Sequence, residues 1–233
     1  MLAIRNNAHR AREIISIFYV VIAFSVFNIL STGWQYLLLV DVEKNPENLD
    51  MDEINTSDTV QGVLAVATII VSLLTIIYFI RWFRRAYNNV HAIPGAQVSL
   101  SEGWAAGSWF IPILNLFRPF QIMKETWYET QRAIPHRIDG IQSTGFVGIW
   151  WAAYLIMTIY NNFTFRFSYR AETLSELITA RKLEIIGEFI SIPAAVLTIL
   201  LIKKMSVFEN ELRVAAESPD DSVFSLYTEP ADV

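Results

Sequence analysis

Cysteine is absent from the 233-residue sequence. Its absence excludes disulfide scaffolds, thiol nucleophiles, CxxC redox pairs and cysteine-rich zinc sites. Charged residues are also scarce, at 18%, whereas an average soluble domain contains roughly 25%. The formal net charge of -5 argues against a nucleic-acid partner, because proteins that bind nucleic acid usually carry a concentrated basic surface. We therefore expect neither a disulfide-rich domain nor a nucleic-acid-binding protein.

Common catalytic and cofactor-binding motifs are missing as well. The sequence contains no HExxH, no GxSxG nucleophile elbow, no GxxxxGK[ST] phosphate loop and no GxGxxG cofactor turn. The histidines His9, His91 and His136 are far apart in the sequence, with no partner at helical spacing. We therefore expect a protein that is not an enzyme and has no catalytic, metal-binding or cofactor-binding residues.

Four long apolar stretches account for the shortage of charge. They cover residues 14–40, 60–80, 141–165 and 183–202. Each is long enough for a helix that crosses a membrane, which needs about 20 residues at a rise of about 1.5 Å per residue. The first three contain no Asp, Glu, Lys or Arg. The sequence therefore predicts an all-α integral membrane protein with four transmembrane helices.

Polar segments flank the predicted membrane domain, which covers residues 14–213. A cytoplasmic N-terminus covers residues 1–13, and residues 214–233 mix acidic residues with Ser, Pro and Ala. That composition predicts a disordered acidic tail. Thr173 followed by Glu176 is a capping-box pattern, which predicts one helix from about residue 174 to about residue 213.

The distribution of Lys and Arg predicts the orientation. Thirteen of the 18 lie in the N-terminus, the stretch 81–140 and the tail, and five lie in the other two loops. Cytoplasmic loops of membrane proteins are enriched in Lys and Arg, so both termini are predicted to be cytoplasmic. The loop over residues 41–59, with seven acidic residues and one lysine, is predicted to lie on the other side.

A short apolar segment interrupted by prolines, residues 104–132, lies between the second and third spans. Pro112 and Pro119 each remove a backbone donor, so a fifth span is not expected. Three tryptophans are suited to the level of the lipid headgroups, namely Trp104, Trp109 and Trp127. After Pro119 the pattern is that of an amphipathic surface helix, with Phe120, Met123 and Trp127 on one face and Lys124, Glu125, Glu129 and Arg132 on the other. The segment is predicted to be re-entrant or to lie flat at the interface.

This region also carries a family resemblance. The residues concerned are 81–89 (RWFRRAYNN), Trp104, 109–112 (WFIP), Asn115, Leu116, Arg118, Pro119 and 121–127 (QIMKETW). In this order they resemble the bacterial membrane family catalogued as domain of unknown function 4328, over roughly residues 60–190. The resemblance implies a multi-pass protein of the bacterial cytoplasmic (inner) membrane. It implies no activity, cofactor or catalytic residue.

Ten residues in and near this segment are candidates for contact with lipid or a partner. They are Arg81, Arg84, Arg85, Trp104, Trp109, Pro112, Asn115, Arg118, Pro119 and Trp127. Arg118 could bind a lipid phosphate, or it could extend to the interface beside aromatic residues. Asn115 could bond backbone groups freed by the prolines, or it could contact a ligand. The arginine cluster could attract anionic lipid, and the same charges could serve topology alone.

Polar residues inside the predicted spans also allow two interpretations. Asn28, Gln35, Asn161 and Asn162 are predicted to bond between helices. Glu188 is an ionisable group in the fourth span, and such groups often mark functional sites. It also lies near the outer end of that span, where a boundary glutamate can pair with Arg181 or Lys182. Pro193 predicts a kink nearby.

From these features we expect a non-enzymatic accessory or scaffold protein. Its partners would be membrane lipid and a partner membrane protein or a second copy of the chain, and contact is expected over residues 104–127. The alternative is a small oligomeric channel or transporter with Glu188 near its pathway. Four spans leave little room for a pathway within one chain, which favours the accessory role.

Overall fold

The computed structural model describes residues 4–48, 50–135 and 140–217, most of them in helices. The helices are α1 (Ala8–Lys44), α2 (Met51–His91), α3 (Trp104–Gly107), α4 (Arg118–Arg132), α5 (Gly145–Arg170) and α6 (Leu174–Glu217). Two short 3-10 turns cover Pro46–Asn48 and Leu114–Leu116. No strand occurs in these described ranges, so the all-α prediction is confirmed.

Three helices, α1, α2 and α6, are long and apolar enough to cross a membrane. They contain the first, second and fourth predicted spans. α5 covers the third predicted span with 26 residues, but it is not among these three. Its Trp150, Trp151, Asn161 and Asn162 lower its mean hydropathy. The membrane-protein character is thus supported by three helices, and the third predicted span, over residues 141–165, stays a prediction.

The chain forms two compact units, each built from separate stretches of sequence. Unit 1 comprises Met1–Ile15, Ile76–Trp151 and Ile199–Val233, and unit 2 comprises Ser16–Thr75 and Ala152–Thr198. Every boundary between them falls inside one of the helices α1, α2, α5 and α6. Each of these four helices therefore contributes residues to both units.

Unit 1 has an aromatic core. Its largest fully buried side chains include Trp82, Phe83, Tyr87, Trp127, Trp150 and Phe208. These residues come from α2, α4, α5 and α6, so the four helices share one core. The ring of Trp127 meets that of Phe208 edge-on, with 4.9 Å between centroids. Such pairs add roughly 0.5–1.5 kcal/mol beyond the burial of apolar area.

Unit 2 presents apolar side chains outward. On α1 and α2 the exposed fractions reach 68% for Leu30, 65% for Val63 and 61% for Ile69. Soluble monomers rarely expose contiguous apolar patches larger than a few hundred Å². The outer surface of these two helices is therefore suited to hydrocarbon.

The predicted capping box is present at the start of α6. The Glu176 backbone N–H donates to Thr173 Oγ1 at 3.3 Å, and the Thr173 backbone N–H donates to the Glu176 carboxylate at 3.0 Å. Backbone hydrogen bonds from Thr173 and Glu172 lower the pKa of Glu176. The box thus satisfies N–H groups that the first turn of a helix leaves unpaired.

α6 continues through Pro193 and ends at Glu217. It therefore extends four residues into the segment predicted as a disordered tail, and Arg213 pairs with Glu217 one turn later at 2.9 Å. Residues 218–233, the remainder of that tail, lie outside the described residues, as do residues 1–3 of the N-terminus.

Candidate functional site

Residues 108–117, here called the apolar loop, connect α3 to α4 within unit 1. Pro112 lies exposed in a turn, and Pro119 is buried in the first turn of α4, where its missing N–H costs no helical bond. The loop closes through backbone bonds of its own, such as Asn115 N–H to the Ile111 carbonyl at 2.8 Å. The apolar loop is therefore an ordered series of turns. Pro112 prevents a continuous helix through it.

The apolar loop exposes large apolar side chains. The exposed fractions are 70% for Phe110, 73% for Ile113 and 53% for Leu116, and Ile111 and Phe117 are exposed as well. A cluster of this kind on a folded surface marks contact with a membrane or another protein.

The inner side of the apolar loop is anchored to α2 and α5. The Trp109 ring lies edge-on to Phe79 and Phe83 of α2, with centroid distances of 5.4 and 5.5 Å. Trp151 of α5 donates its indole N–H to the Leu116 carbonyl at 3.2 Å. The loop thus packs beside Phe79 and Trp151, which both lie within predicted spans.

α4 is oriented differently from the sequence-based prediction. Trp127 is fully buried and donates its indole N–H to the Gln142 carbonyl at 3.1 Å. Its predicted contact with lipid or a partner is therefore corrected, because its ring packs into the core of unit 1. Glu129, predicted on the outward face, is also buried, and it pairs with Arg132 at 2.7 Å. Trp104 and Trp109 are half-buried.

The candidate arginines remain near the surface. Arg81 and Arg84 are exposed, and Arg85 and Arg118 are half-buried. The Arg118 guanidinium donates to Gln121 Oε1 at 3.0 Å and lies 5.5 Å from the centre of the adjacent Phe117 ring. Arg118 thus lies as a cation beside one aromatic ring and a side-chain amide. Burial, with the charges of Arg10, Arg5 and Arg84, lowers the pKa of Arg85.

Within the described ranges, the Asn115 side chain makes no hydrogen bond to backbone groups freed by the prolines, which was one of its two predicted roles. Its Oδ1 atom is buried and accepts no hydrogen bond from the described residues. A buried acceptor without a donor is unfavourable by roughly 1–3 kcal/mol. A bound water or ligand donor would satisfy it.

The polar residues predicted inside the spans are paired within unit 2. Asn28 Nδ2 donates to Glu188 Oε1 at 3.1 Å, and Gln35 Nε2 donates to Asp58 Oδ1 at 3.1 Å. Asn161 Nδ2 donates to Ser191 Oγ at 3.3 Å. The predicted bonds between helices are thus present for these three residues. Asn162 instead donates to the Thr158 carbonyl of its own helix.

A second site, which the sequence reasoning missed, surrounds Glu209 of α6. The Glu209 carboxylate is buried, with 8% of the residue exposed, and it accepts hydrogen bonds from two amides. Asn7 Nδ2 lies 3.3 and 3.2 Å from its two oxygens, and Asn89 Nδ2 lies 3.1 Å from Oε1. In the part of the chain that the structure describes, no Lys or Arg forms an ion pair with this carboxylate.

The same amides hold the chain segment before α1. Asn89 of α2 accepts from the Arg5 backbone N–H at 3.0 Å and donates to the Arg5 carbonyl at 2.9 Å. Asn7 also donates to the Trp82 carbonyl at 3.3 Å. Residues 4–7, which are not helical, are named the N-terminal strap below. The strap is thus bonded to both α2 and α6.

Burial raises the pKa of Glu209 from its ordinary value of 4.5 to about 7. The amide hydrogen bonds from Asn89 and Asn7 and the charge of Arg85 act in the opposite direction and offset burial only in part. The carboxyl therefore exchanges its proton near neutral pH.

A small pocket opens beside this carboxyl. It is lined by Ile4, Arg5, Asn6, Asn7, Ala8, Ser206, Glu209, Asn210 and Arg213, with a volume of about 20 Å³. A cavity needs roughly 10–15 Å³ on this scale to hold a water molecule. The pocket therefore gives one water access to the buried carboxyl.

One sequence signal could have identified Glu209. Thr198, Ile202, Met205, Glu209 and Leu212 are spaced by four, three, four and three residues, which places them on one helix face. An acid on an apolar stripe is a candidate for a buried site. Its two amide partners carry no such signal, because Asn7 is 202 residues and Asn89 is 120 residues away in sequence.

Comparison with known proteins gives a family and no activity. A protein-family model described as "Domain of unknown function (DUF4328)" matches residues 45–207. No curated protein and no solved structure matches the chain.

Proposed function

Because the chain belongs to the DUF4328 family, whose description assigns no activity, we propose a function from the residues of the chain itself. In this proposal the chain is a non-enzymatic accessory or scaffold protein of the bacterial cytoplasmic membrane. It spans the membrane four times, with both termini in the cytoplasm. The apolar loop is its contact with lipid or with a partner membrane protein.

The position of the apolar loop is the observation that carries this proposal. On the outside of α2, Ile76 and Ile77 are exposed apolar residues, and the exposed Arg81 and Arg84 follow within two turns. This change from apolar to basic residues is typical of the cytoplasmic membrane boundary. The loop packs against Phe79, on the apolar side of that change. Its exposed side chains are therefore suited to the hydrocarbon of the inner leaflet, as in a shallow re-entrant segment.

Irregular backbone at this depth is acceptable only where protein shields it. The apolar loop meets this condition in part, because its turns bond internally and Trp151 binds the Leu116 carbonyl at 3.2 Å. The outward surface is left to side chains such as Phe110 and Ile113. These side chains are free to contact acyl chains or the helix of a partner.

The hydrogen bond from Asn28 to Glu188 supports a structural role for that glutamate. Polar contacts of this kind between membrane helices contribute about 0.6 kcal/mol on average. No described residue provides a separate observation that favours transport. The accessory role is therefore favoured over a transport role.

Photocrosslinking tests the contact directly. A photoreactive amino acid at Ile113, in the native membrane, is expected to yield adducts with lipid or with one stoichiometric membrane protein. The same group at Tyr128, an exposed residue of α4, is the matched control and should give neither. A lipid adduct alone assigns the loop to the leaflet, and a protein adduct identifies the partner. Equal, unselective labelling by aqueous components at both positions would contradict the proposal.

The accessory role predicts a second outcome for any captured protein. Ile113→Asn should abolish its co-purification in mild detergent, while Lys124→Gln on the exposed face of α4 should not. Loss of the partner in both variants, or in neither, would contradict a role for the apolar loop.

A further inference from the structure

We propose that the N-terminal strap closes over Glu209 while its carboxyl is neutral and opens as that carboxyl ionises. The inference concerns the buried cluster of Glu209, Asn7 and Asn89 in unit 1. It is independent of the role proposed for the apolar loop.

The contacts of the strap make Glu209 its control point. The strap is not helical, and two side chains hold it in place. Asn7 bridges the Trp82 carbonyl and the Glu209 carboxylate, and Asn89 bridges the Arg5 backbone and the same carboxylate. Each amide has two N–H groups, one for a backbone carbonyl and one for Glu209. A change in the charge of the Glu209 carboxylate therefore alters the hydrogen bonds of both Asn7 and Asn89.

Opening of the strap would admit water to Glu209. The small pocket lies directly between residues 4–8 of the chain and Ser206, Glu209, Asn210 and Arg213 of α6. Lifting the strap removes one wall of the pocket and the amide donor of Asn7, while the Asn89 amide stays on α2. The closed strap therefore holds the carboxyl in a poorly solvated place, and the open strap returns it to water.

This difference in solvation sets the sign of the pH dependence. With the strap closed, burial raises the pKa of Glu209 to about 7, and exposure to water restores the ordinary value of 4.5. The closed form thus binds the proton more tightly than the open form does. By linkage, the ratio of closed to open strap is constant below 4.5, falls as the pH rises to about 7, and is constant above that.

The charged groups around Glu209 do not reverse this sign. Arg85 faces it from α2, and the charge of Arg85 lowers the pKa of Glu209 less than burial raises it. Arg5 of the strap and Arg213 of α6 line the pocket. The guanidinium of Arg213 is engaged by Glu217 at 2.9 Å and by Asn210 at 3.0 Å.

Asn7 also has a free acceptor in the closed site. Its Oδ1 atom is buried and accepts no hydrogen bond from any described residue. Asn7 lines the small pocket, so a water molecule in that pocket would be placed to donate to this atom.

Hydrogen exchange of the full chain in lipid nanodiscs tests the proposal, because the Arg5 N–H is protected only while it donates to Asn89. Protection of the peptide containing residues 4–8, corrected for intrinsic exchange, should fall by up to about a hundredfold between about pH 5 and about pH 7. It should then stay constant to about pH 8. Protection in α4 should not change.

Two variants connect the effect to the carboxyl. In Glu209→Gln the protection should be independent of pH, and in Glu211→Gln, an exposed neighbour on the same helix, it should follow the unmodified chain. If Glu209→Gln fails to assemble, Glu209→Asp replaces it and should shift the midpoint. Protection that is independent of pH in the unmodified chain would overturn the proposal. So would an unchanged pH profile in the Gln or Asp variant.

Discussion

At the residue scale, Trp127 illustrates two roles that tryptophan has in membrane proteins. Its residue type predicts a place at headgroup level, and its spacing from Phe120 and Met123 predicts that the three share one helix face. That spacing is correct for the apolar face of α4. Spacing does not distinguish an apolar face that contacts lipid from one that packs into the protein core. In the structure Trp127 packs on Phe208 inside unit 1.

Trp127→Ala is expected to destabilise the protein strongly. Removal of a fully buried aromatic side chain typically costs about 3–5 kcal/mol, and here the indole hydrogen bond to the Gln142 carbonyl is lost too. Tyr128→Ala, the next residue, with 43% exposure, is the matched control and should change stability little. Thermal unfolding in detergent measures both. Equal midpoints for the two variants would show that Trp127 is not a core residue.

At the element scale, helix positions could be predicted and side-chain partners could not. Long apolar runs predict the positions of α1, α2, α5 and α6, because membrane-spanning helices require such runs. The Thr173 pattern predicts where α6 begins. The end of α6 was placed four residues early, since an acidic, Ala-rich stretch does not distinguish the last helical turn from a tail. The pairing of Glu209 with Asn7 depends on elements that meet only in the folded chain.

The capping box at the start of α6 predicts local fraying. Thr173→Ala should increase amide exchange in the first turn of α6 by roughly fivefold, the equivalent of about 1 kcal/mol for a lost cap. Ser175→Ala in the same turn removes a hydroxyl that makes no capping bond, and it should have little effect. Hydrogen exchange with peptide resolution is the measurement.

Acid should have the same effect on this turn. Backbone hydrogen bonds from Thr173 and Glu172 lower the pKa of Glu176. The ionised Glu176 carboxylate therefore stabilises the first turn of α6 fully at neutral pH, and this stabilisation is lost as the pH falls through the lowered pKa. Fraying that increases on acidification in the unmodified chain, and less in Glu176→Gln, is the expected result. Amide protection in the first turn of α6 that does not change with pH would contradict this prediction.

At the scale of the whole molecule, the four-span arrangement can be tested with single cysteines, since the chain has none of its own. Glu47→Cys and Glu172→Cys should react with an impermeant thiol reagent in intact cells. Lys124→Cys should react only after the membrane is permeabilised. If Glu172→Cys behaves like Lys124→Cys, α5 does not cross and the chain has three spans.

The discontinuity of unit 1 has a consequence for synthesis. Asn7 leaves the ribosome before its partner Glu209, which follows 202 residues later. At about 5–20 residues per second, roughly 10–40 seconds separate the two. In the later part of that interval α1 and α2 are already made, while the core they share with α6 is incomplete. We therefore expect the nascent chain to be held by the insertion machinery until α6 arrives, and truncations within α6 should be degraded rather than accumulate as partly folded protein.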